Sequence, residues 1–443
     1  MTEGKILPVM LQFAIPVMLG SLFQNLYNLA DMSIAGYTLG DHALAAIAAS
    51  HSLVYLINAV SMGFNTGNAI LISQAFGAGN MQNARKSYAG VLELCIGMII
   101  AMTALLGILV DPLLHLVRTP AELFADAKSY IIIMILGQCA SMFYNMYAAV
   151  FRSLGNSKMP LAFLIFSSAL NVGLDILFIV PLGMGVRGAA LATIVSQAIS
   201  AILSGVYFYV NYPEMRLRAE DFRGNRVLIR EMFPMGAAAA VTNSLFAIGD
   251  MAVQGAVNAL GSAAIIGQAA AQKIRSFAII PSIGMANTSA TFSAQNYGAG
   301  KLDRITKGIY TGVIFNIAVN VFTAAAAFIF GGELIRLVTN TENAEVIANG
   351  QLMLRIVVPF IFTQTIVMIY RMSIQGMKRK VIPIIGTAVE LCTRFFCALV
   401  LAPIIGFLGI CFAEPLSWVV SGAVMVIFYY ANVMRKEKAA KVN

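Results

Sequence analysis

Apolar stretches of about 20 residues or more, each long enough to cross the ~30 Å hydrocarbon core of a bilayer, recur along the whole chain. About twelve can be counted, at approximately 9–35, 44–76, 87–111, 124–151, 159–180, 188–211, 228–258, 265–296, 308–331, 347–374, 381–403 and 407–432. Nothing else in the sequence constrains the fold as strongly. Of the 443 residues, 59% are hydrophobic and only 11% charged, too few charges to clothe a water-soluble globule. A backbone inside lipid must satisfy its own N–H and C=O groups, so repeated spans of this length predict an all-α integral membrane protein in contact with the lipid bilayer.

The basic residues sort by loop. Arg85 and Lys86, Arg152 and Lys158, Arg216, Arg218, Arg223, Arg226 and Arg230, Lys301, Arg304 and Lys307, and Lys378, Arg379 and Lys380 fall in every second loop. Arg435, Lys436, Lys438 and Lys441 add to the C-terminal tail, while the alternate loops carry little beyond Arg118, Arg187 and Arg336. Loops rich in Lys and Arg stay on the cytoplasmic side, which places both termini there and requires an even number of spans. This sorting accounts for the formal charge of +9 without a nucleic-acid partner. Cys95, Cys139, Cys392, Cys397 and Cys411 all lie inside apolar spans at spacings unlike those of metal ligands, so neither a disulfide nor a metal centre is expected. The first span is too long for a signal-peptide core and is expected to be retained, giving a multi-pass protein of the plasma or inner membrane.

The chain repeats itself. At an offset of 221 residues, Ser61, Gly63, Gln74, Gly77, Ala78, Gly79 and Lys86 recur as Ser282, Gly284, Gln295, Gly298, Ala299, Gly300 and Lys307, and Gly185 and Gly188 recur as Gly406 and Gly409. A slip to 219 aligns Asp31, Met32 and Gly36 with Asp250, Met251 and Gly255, and Arg152 with Arg371. Six spans per copy is an even number, so both copies enter the bilayer in the same orientation and are related by a pseudo-twofold axis along the membrane normal. The expected architecture is twelve transmembrane helices in two six-helix lobes: residues 1–212, a charged cytoplasmic linker at 213–230, and residues 231–443. Such a chain can work as a monomer.

Ionisable groups inside spans are costly and mark candidate sites. In the first span Gln24, Asn28 and Asp31 share one helical face; in the second, Asn58, Ser61, Asn65 and Asn68 form another stripe; in the fifth, Asn171 and Asp175 lie one turn apart. These three stripes are satisfied together if they face one another. A carboxylate partly removed from water binds a proton more readily, and with amide oxygens beside it can instead ligate Na⁺. The competing reading is hydrogen-bonding glue between helices. The second half holds a different set, Asp250, Lys273, Arg275, Glu390 and Arg394, for which a structural ion network is the expectation. Tyr144, with Met142, Phe143 and Asn145 beside it, is a candidate lining for a pocket that accepts apolar cations. His51 reads as a packed polar residue rather than a proton relay. The sequence has no phosphate-binding GxxxxGK[ST] loop and no HExxH, and nothing points to an enzyme or a cofactor. Transport driven by an ion gradient is what remains.

Several runs resemble one known family over essentially the full length. Asn28-Leu29-Ala30-Asp31-Met32-Ser33-Ile34-Ala35-Gly36, Gln74-Ala75-Phe76-Gly77-Ala78-Gly79 with its twin Gln295-Asn296-Tyr297-Gly298-Ala299-Gly300, Phe151-Arg152-Ser153-Leu154-Gly155-Asn156 and Asn171-Val172-Gly173-Leu174-Asp175 are similar to the multidrug and toxic compound extrusion (MATE) family. The resemblance implies antiport, with small cationic amphipathic compounds leaving the cytoplasm as H⁺ or Na⁺ enters. It implies that Asp31, Asn171 and Asp175 match the first-lobe ion site of the DinF-like branch. The NorM-like branch has acidic residues in its seventh and tenth helices; this sequence has Phe246 near the first position and Gln364 at the second, with Glu390 as another carboxylate in that half. A flippase for lipids or lipid-linked oligosaccharides is the related alternative; it predicts a more basic central cavity.

Overall fold

The computed structural model describes residues 1–116 and 119–434, without the side chains of residues 29–49, 51–53, 55, 56, 116 and 432–434. Asp31, His51, Arg118 and the basic residues of the tail therefore lie outside what is described. Among the described residues the regular elements are helical, with no strand. They are α1 (Ile6–Gly77), α2 (Met81–Leu116), α3 (Ala121–Leu136), α4 (Gln138–Ser153), α5 (Lys158–Ile179), α6 (Gly185–Asn211), α7 (Arg226–Asn258) and α8 (Ser262–Ala278). There follow α9 (Ile280–Gly298), α10 (Leu302–Thr339), α11 (Ala344–Val357), α12 (Ile361–Gly376), α13 (Val381–Phe396), two single turns α14 (Ala402–Ile405) and α15 (Phe407–Cys411), and α16 (Ala413–Phe428).

Nine helical spans among the described residues are long and apolar enough to cross a membrane, and α3 with α4, bent by 47° at Gly137, makes a tenth. The two further spans expected from the sequence fall at 44–76, within α1, and at 265–296, which the structure divides into α8 and α9 at Ile279. The fourth span is broken at Gly137 and the tenth by a turn at Val358–Phe360, so the break itself is duplicated. The repeated loop is duplicated down to its hydrogen bonds. Gly79 and Gly300 adopt φ of +72° and +71°, a conformation open to glycine, and Asn80 N–H donates to Ala75 O at 3.0 Å as Lys301 N–H does to Asn296 O at 2.8 Å.

Large apolar side chains cover the outside: Ile108, Phe322 and Ile404 are each more than 70% exposed. Lipid is as apolar as these side chains, so helices associate instead through close packing of small residues. At Gly67 a Cβ would stand 2.6 Å from Met235 O, and at Gly63 2.9 Å from the Ala239 backbone; α1 and α7 touch there backbone to backbone.

Contacts divide the chain into two compact units, Leu22–Ala240 (the first unit) and Met1–Ser21 with Val241–Asn443 (the second). These limits differ from the sequence boundaries at both ends. The segment expected as a charged cytoplasmic linker is a strap on the first unit: Arg85 Nε donates to Asp221 Oδ2 at 2.6 Å, with Asp221 fully buried, and Asn225 donates to Glu93 at 3.3 Å. The N-terminal residues pack instead with the second unit. Lys301 Nζ donates to Thr2 O at 3.0 Å and Arg304 to Glu3 O at 2.8 Å, and Met10 and Ala14 enter a core with Phe292, Ile309, Ile369 and Met425.

Candidate functional site

In the first unit, α5 is mostly apolar and carries Ser167, Asn171 and Asp175 along one buried face. Asn171 and Asp175 are each 1% exposed. The Asn171 amide finds a complementary partner for each atom when its nitrogen points to Asp175 Oδ2 at 3.0 Å and Tyr27 Oη at 2.6 Å, and its oxygen accepts from the Thr193 N–H at 3.1 Å. Three helices thus meet on the Asn171 amide, which carries the Asp175 carboxylate beside it: α5, α1 through Tyr27 and α6 through Thr193. Tyr27 and Thr193 were not singled out in the sequence. Tyr27 sits beside Asn28 but one position off the Gln24–Asn28 face, and Thr193 lies in an ordinary Ala-rich run.

The stripe of the second span goes elsewhere. Gln138 of α4 donates to Ser61 Oγ at 2.7 Å, and Asn65 donates to Met142 O at 3.3 Å. Asn68 is 1% exposed and lies where Gly236 leaves room for it. The hydrogen bonds described for this stripe run to α4, and those described for Asn171 run to Asp175, Tyr27 and Thr193. Gln24 and Asn28 are exposed and bond to each other at 3.1 Å, while Asn58 and Tyr144 are partly exposed.

The ion pairs of the second unit also differ from sequence neighbourhood. Glu390 on α13 pairs with Arg371 of α12, both buried. Arg394, one turn further along α13, pairs with Asp250 of α7 at 2.5 Å, and Arg275 pairs with Glu414 at 3.0 Å. Gly249 makes room for the Arg394 side chain, whose Cδ would be 3.1 Å from a Cβ at that position. Phe246 carries Arg371 at 4.6 Å and Arg394 at 5.9 Å from its ring centroid. Lys273 is exposed and takes no part in these pairs. Arg371 and Glu414 complete the network and were not named as members of it; Arg371 was visible only as the twin of Arg152.

A family model described as MatE matches the chain twice, over residues 16–177 and 238–404, one match in each half of the repeat. The chain is 28% identical over 346 residues to the probable multidrug resistance protein YpnP of Bacillus subtilis (strain 168), a match covering 77% of each protein. It is 24% identical over 396 residues to the probable multidrug resistance protein NorM of Thermotoga maritima, covering 87% of this chain and 83% of that one. A mutant of the Vibrio cholerae MATE transporter VcmN has the same fold, with a TM-score of 0.91 at 20% identity over 97% of each chain. That fold has twelve transmembrane helices in two lobes, and the proteins built on it are transporters, not enzymes. By its helical architecture, its internal duplication and the double match of the family model, the chain belongs to the multidrug and toxic compound extrusion family.

Proposed function

We propose that the protein exports cationic amphipathic compounds, drugs among them, by antiport against H⁺ or Na⁺, with the coupling ion held in the first unit by Asp31, Asn171 and Asp175. The observation that carries this reading is the buried Asn171–Asp175 pair with Tyr27 and Thr193 around it. An ionised carboxylate at that depth in an apolar helix is expensive, and a bound proton or Na⁺ removes the cost. Ion binding then changes the packing of α1 against α5 and α6, which is the step that alternates access. The names of YpnP and NorM, both probable multidrug resistance proteins, support drugs as the cargo. Uptake of rhodamine 123, a fluorescent cation, into proteoliposomes under an imposed pH gradient or Na⁺ gradient, one ion at a time, tests the reading and names the ion. Lack of uptake under either gradient would sink it.

A further inference from the structure

The cluster of Phe246, Asp250, Arg371, Glu390 and Arg394 in the second unit is unevenly buried. The side chain of Arg394 is 6% exposed, while that of its partner Asp250 is 63% exposed. The neighbouring Arg371–Glu390 pair is closed on both sides, at 4% and 2%. The Nε–H groups of Arg371 and Arg394 are buried without a hydrogen-bond partner. From Asp250 an exposed polar stripe continues one and two turns along α7 at Gln254 and Asn258, whose side chains bond at 2.9 Å. A carboxylate and two amides facing hydrocarbon would be costly, which places this face of α7 on water.

The uneven burial decides which half of the Asp250–Arg394 pair is exchangeable. A mostly exposed carboxylate that swings away is rehydrated at little cost. A buried guanidinium that loses its partner keeps an uncompensated charge out of water, which is the expensive outcome. A cation arriving at Asp250 has to part Arg394 from its nearest carboxylate and leave it only Glu390 and Glu414 nearby, which Arg371 and Arg275 already hold. An arriving carboxylate only takes over the place of Asp250. The planar guanidinium fork suits a carboxylate, and the Phe246 ring gives the same spot an apolar aromatic wall. We propose that Arg394, seated on Phe246, is a subsite for the carboxylate of an aromatic amphipathic substrate, with Asp250 as its displaceable internal stand-in. This rests on the exporter reading and gives the carboxylate of a zwitterionic cargo one place in the second unit.

Rhodamine 110 has a free carboxylate and rhodamine 123 is its methyl ester, so the two dyes differ at the group in question. Their binding to the purified full chain in detergent is measured by fluorescence polarisation. Asp250→Asn removes the internal competitor and is expected to raise the affinity for rhodamine 110 relative to rhodamine 123 by roughly fivefold, the worth of a largely exposed ion pair. Adding Arg394→Gln is expected to abolish the gain. A ratio that stays level or falls overturns the subsite. Independently, millimolar benzoate is expected to raise the melting temperature of Asp250→Asn and not of the double variant, and absence of that shift also overturns it. If Asp250→Asn does not fold, Arg394→Lys carries the test: it keeps the charge but not the fork, so an unchanged dye ratio overturns the proposal. Gradient-driven export of rhodamine 123 by the wild type is measured alongside; its failure counts against the exporter reading alone.

Discussion

Glu390 and Arg394 stand one turn apart on α13 and do not pair with each other: Glu390 takes Arg371, and Arg394 takes Asp250. Each pair therefore ties α13 to a different helix, α12 in one case and α7 in the other. Arg371→Met alone leaves the Glu390 carboxylate buried and uncompensated and is expected to cost about 3–5 kcal/mol. Arg371→Met with Glu390→Met removes both charges and is expected to cost far less. Thermal unfolding of the purified variants decides; equal losses in the single and double variants would contradict the pairing.

Asp175→Asn keeps the shape of the Asn171 cluster and removes its charge. The expected outcome is a protein that still binds rhodamine 123 but no longer accumulates it against a gradient. Tyr27→Phe withdraws one hydrogen bond worth about 1 kcal/mol, so export is expected to slow by about fivefold rather than stop. Initial rates in proteoliposomes separate the two cases.

How far the sequence carried these conclusions depended on the range of the interaction. The spans, the duplication and the turns at Gly79 and Gly300 are local patterns, and each was readable from periodicity or an exact repeat. Asn171 and Asp175 were readable for the same reason, being one turn apart in an apolar run. Tyr27 and Thr193 were not, because nothing in their own segments distinguishes them; only the packing of α1 and α6 on α5 brings them in. The same holds for Glu390, whose spacing to Arg394 matches a helical ion pair although tertiary contact supplies a better partner. Charge pattern gave no hint that residues 213–230 are docked, since a buried Asp221 and an exposed one look alike in sequence.

Gly67 and Gly97 are both helix glycines with opposite surroundings. A Cβ at Gly67 would lie 2.6 Å from Met235 O, whereas a Cβ at Gly97 has nothing within 4 Å. Gly67→Ala is expected to destabilise the protein by about 1–3 kcal/mol through overpacking against fixed backbone. Gly97→Ala is expected to stabilise it by about 0.5–1 kcal/mol by limiting the unfolded chain. Melting temperatures of opposite sign relative to the wild type would bear this out.

The strap that follows α6 hangs on Asp221, which is fully buried and takes the Arg85 Nε–H at 2.6 Å and the Arg218 backbone N–H at 2.8 Å. Asp221→Ala leaves Arg85 without that partner and is expected to loosen the strap while the helices remain folded. Trypsin reads this directly, because Arg216, Arg218 and Arg223 are exposed in that segment. Cleavage between α6 and α7 should become markedly faster in the variant; an unchanged rate would mean that the strap is held elsewhere.

Residues Met1–Ser21 are synthesised first, yet they pack with residues that follow Val241. Met10 shares its core with Met285, Phe292 and Ile309, and Met18 fills the space beside Gly284. At about 5–20 residues per second, a ribosome needs on the order of 14 to 55 s to travel from one set to the other. Throughout that interval the start of α1 lacks these partners. Its apolar side chains must wait in lipid or in the insertion machinery, and completion of the second unit becomes a late event in biogenesis, closed by the oldest segment of the chain.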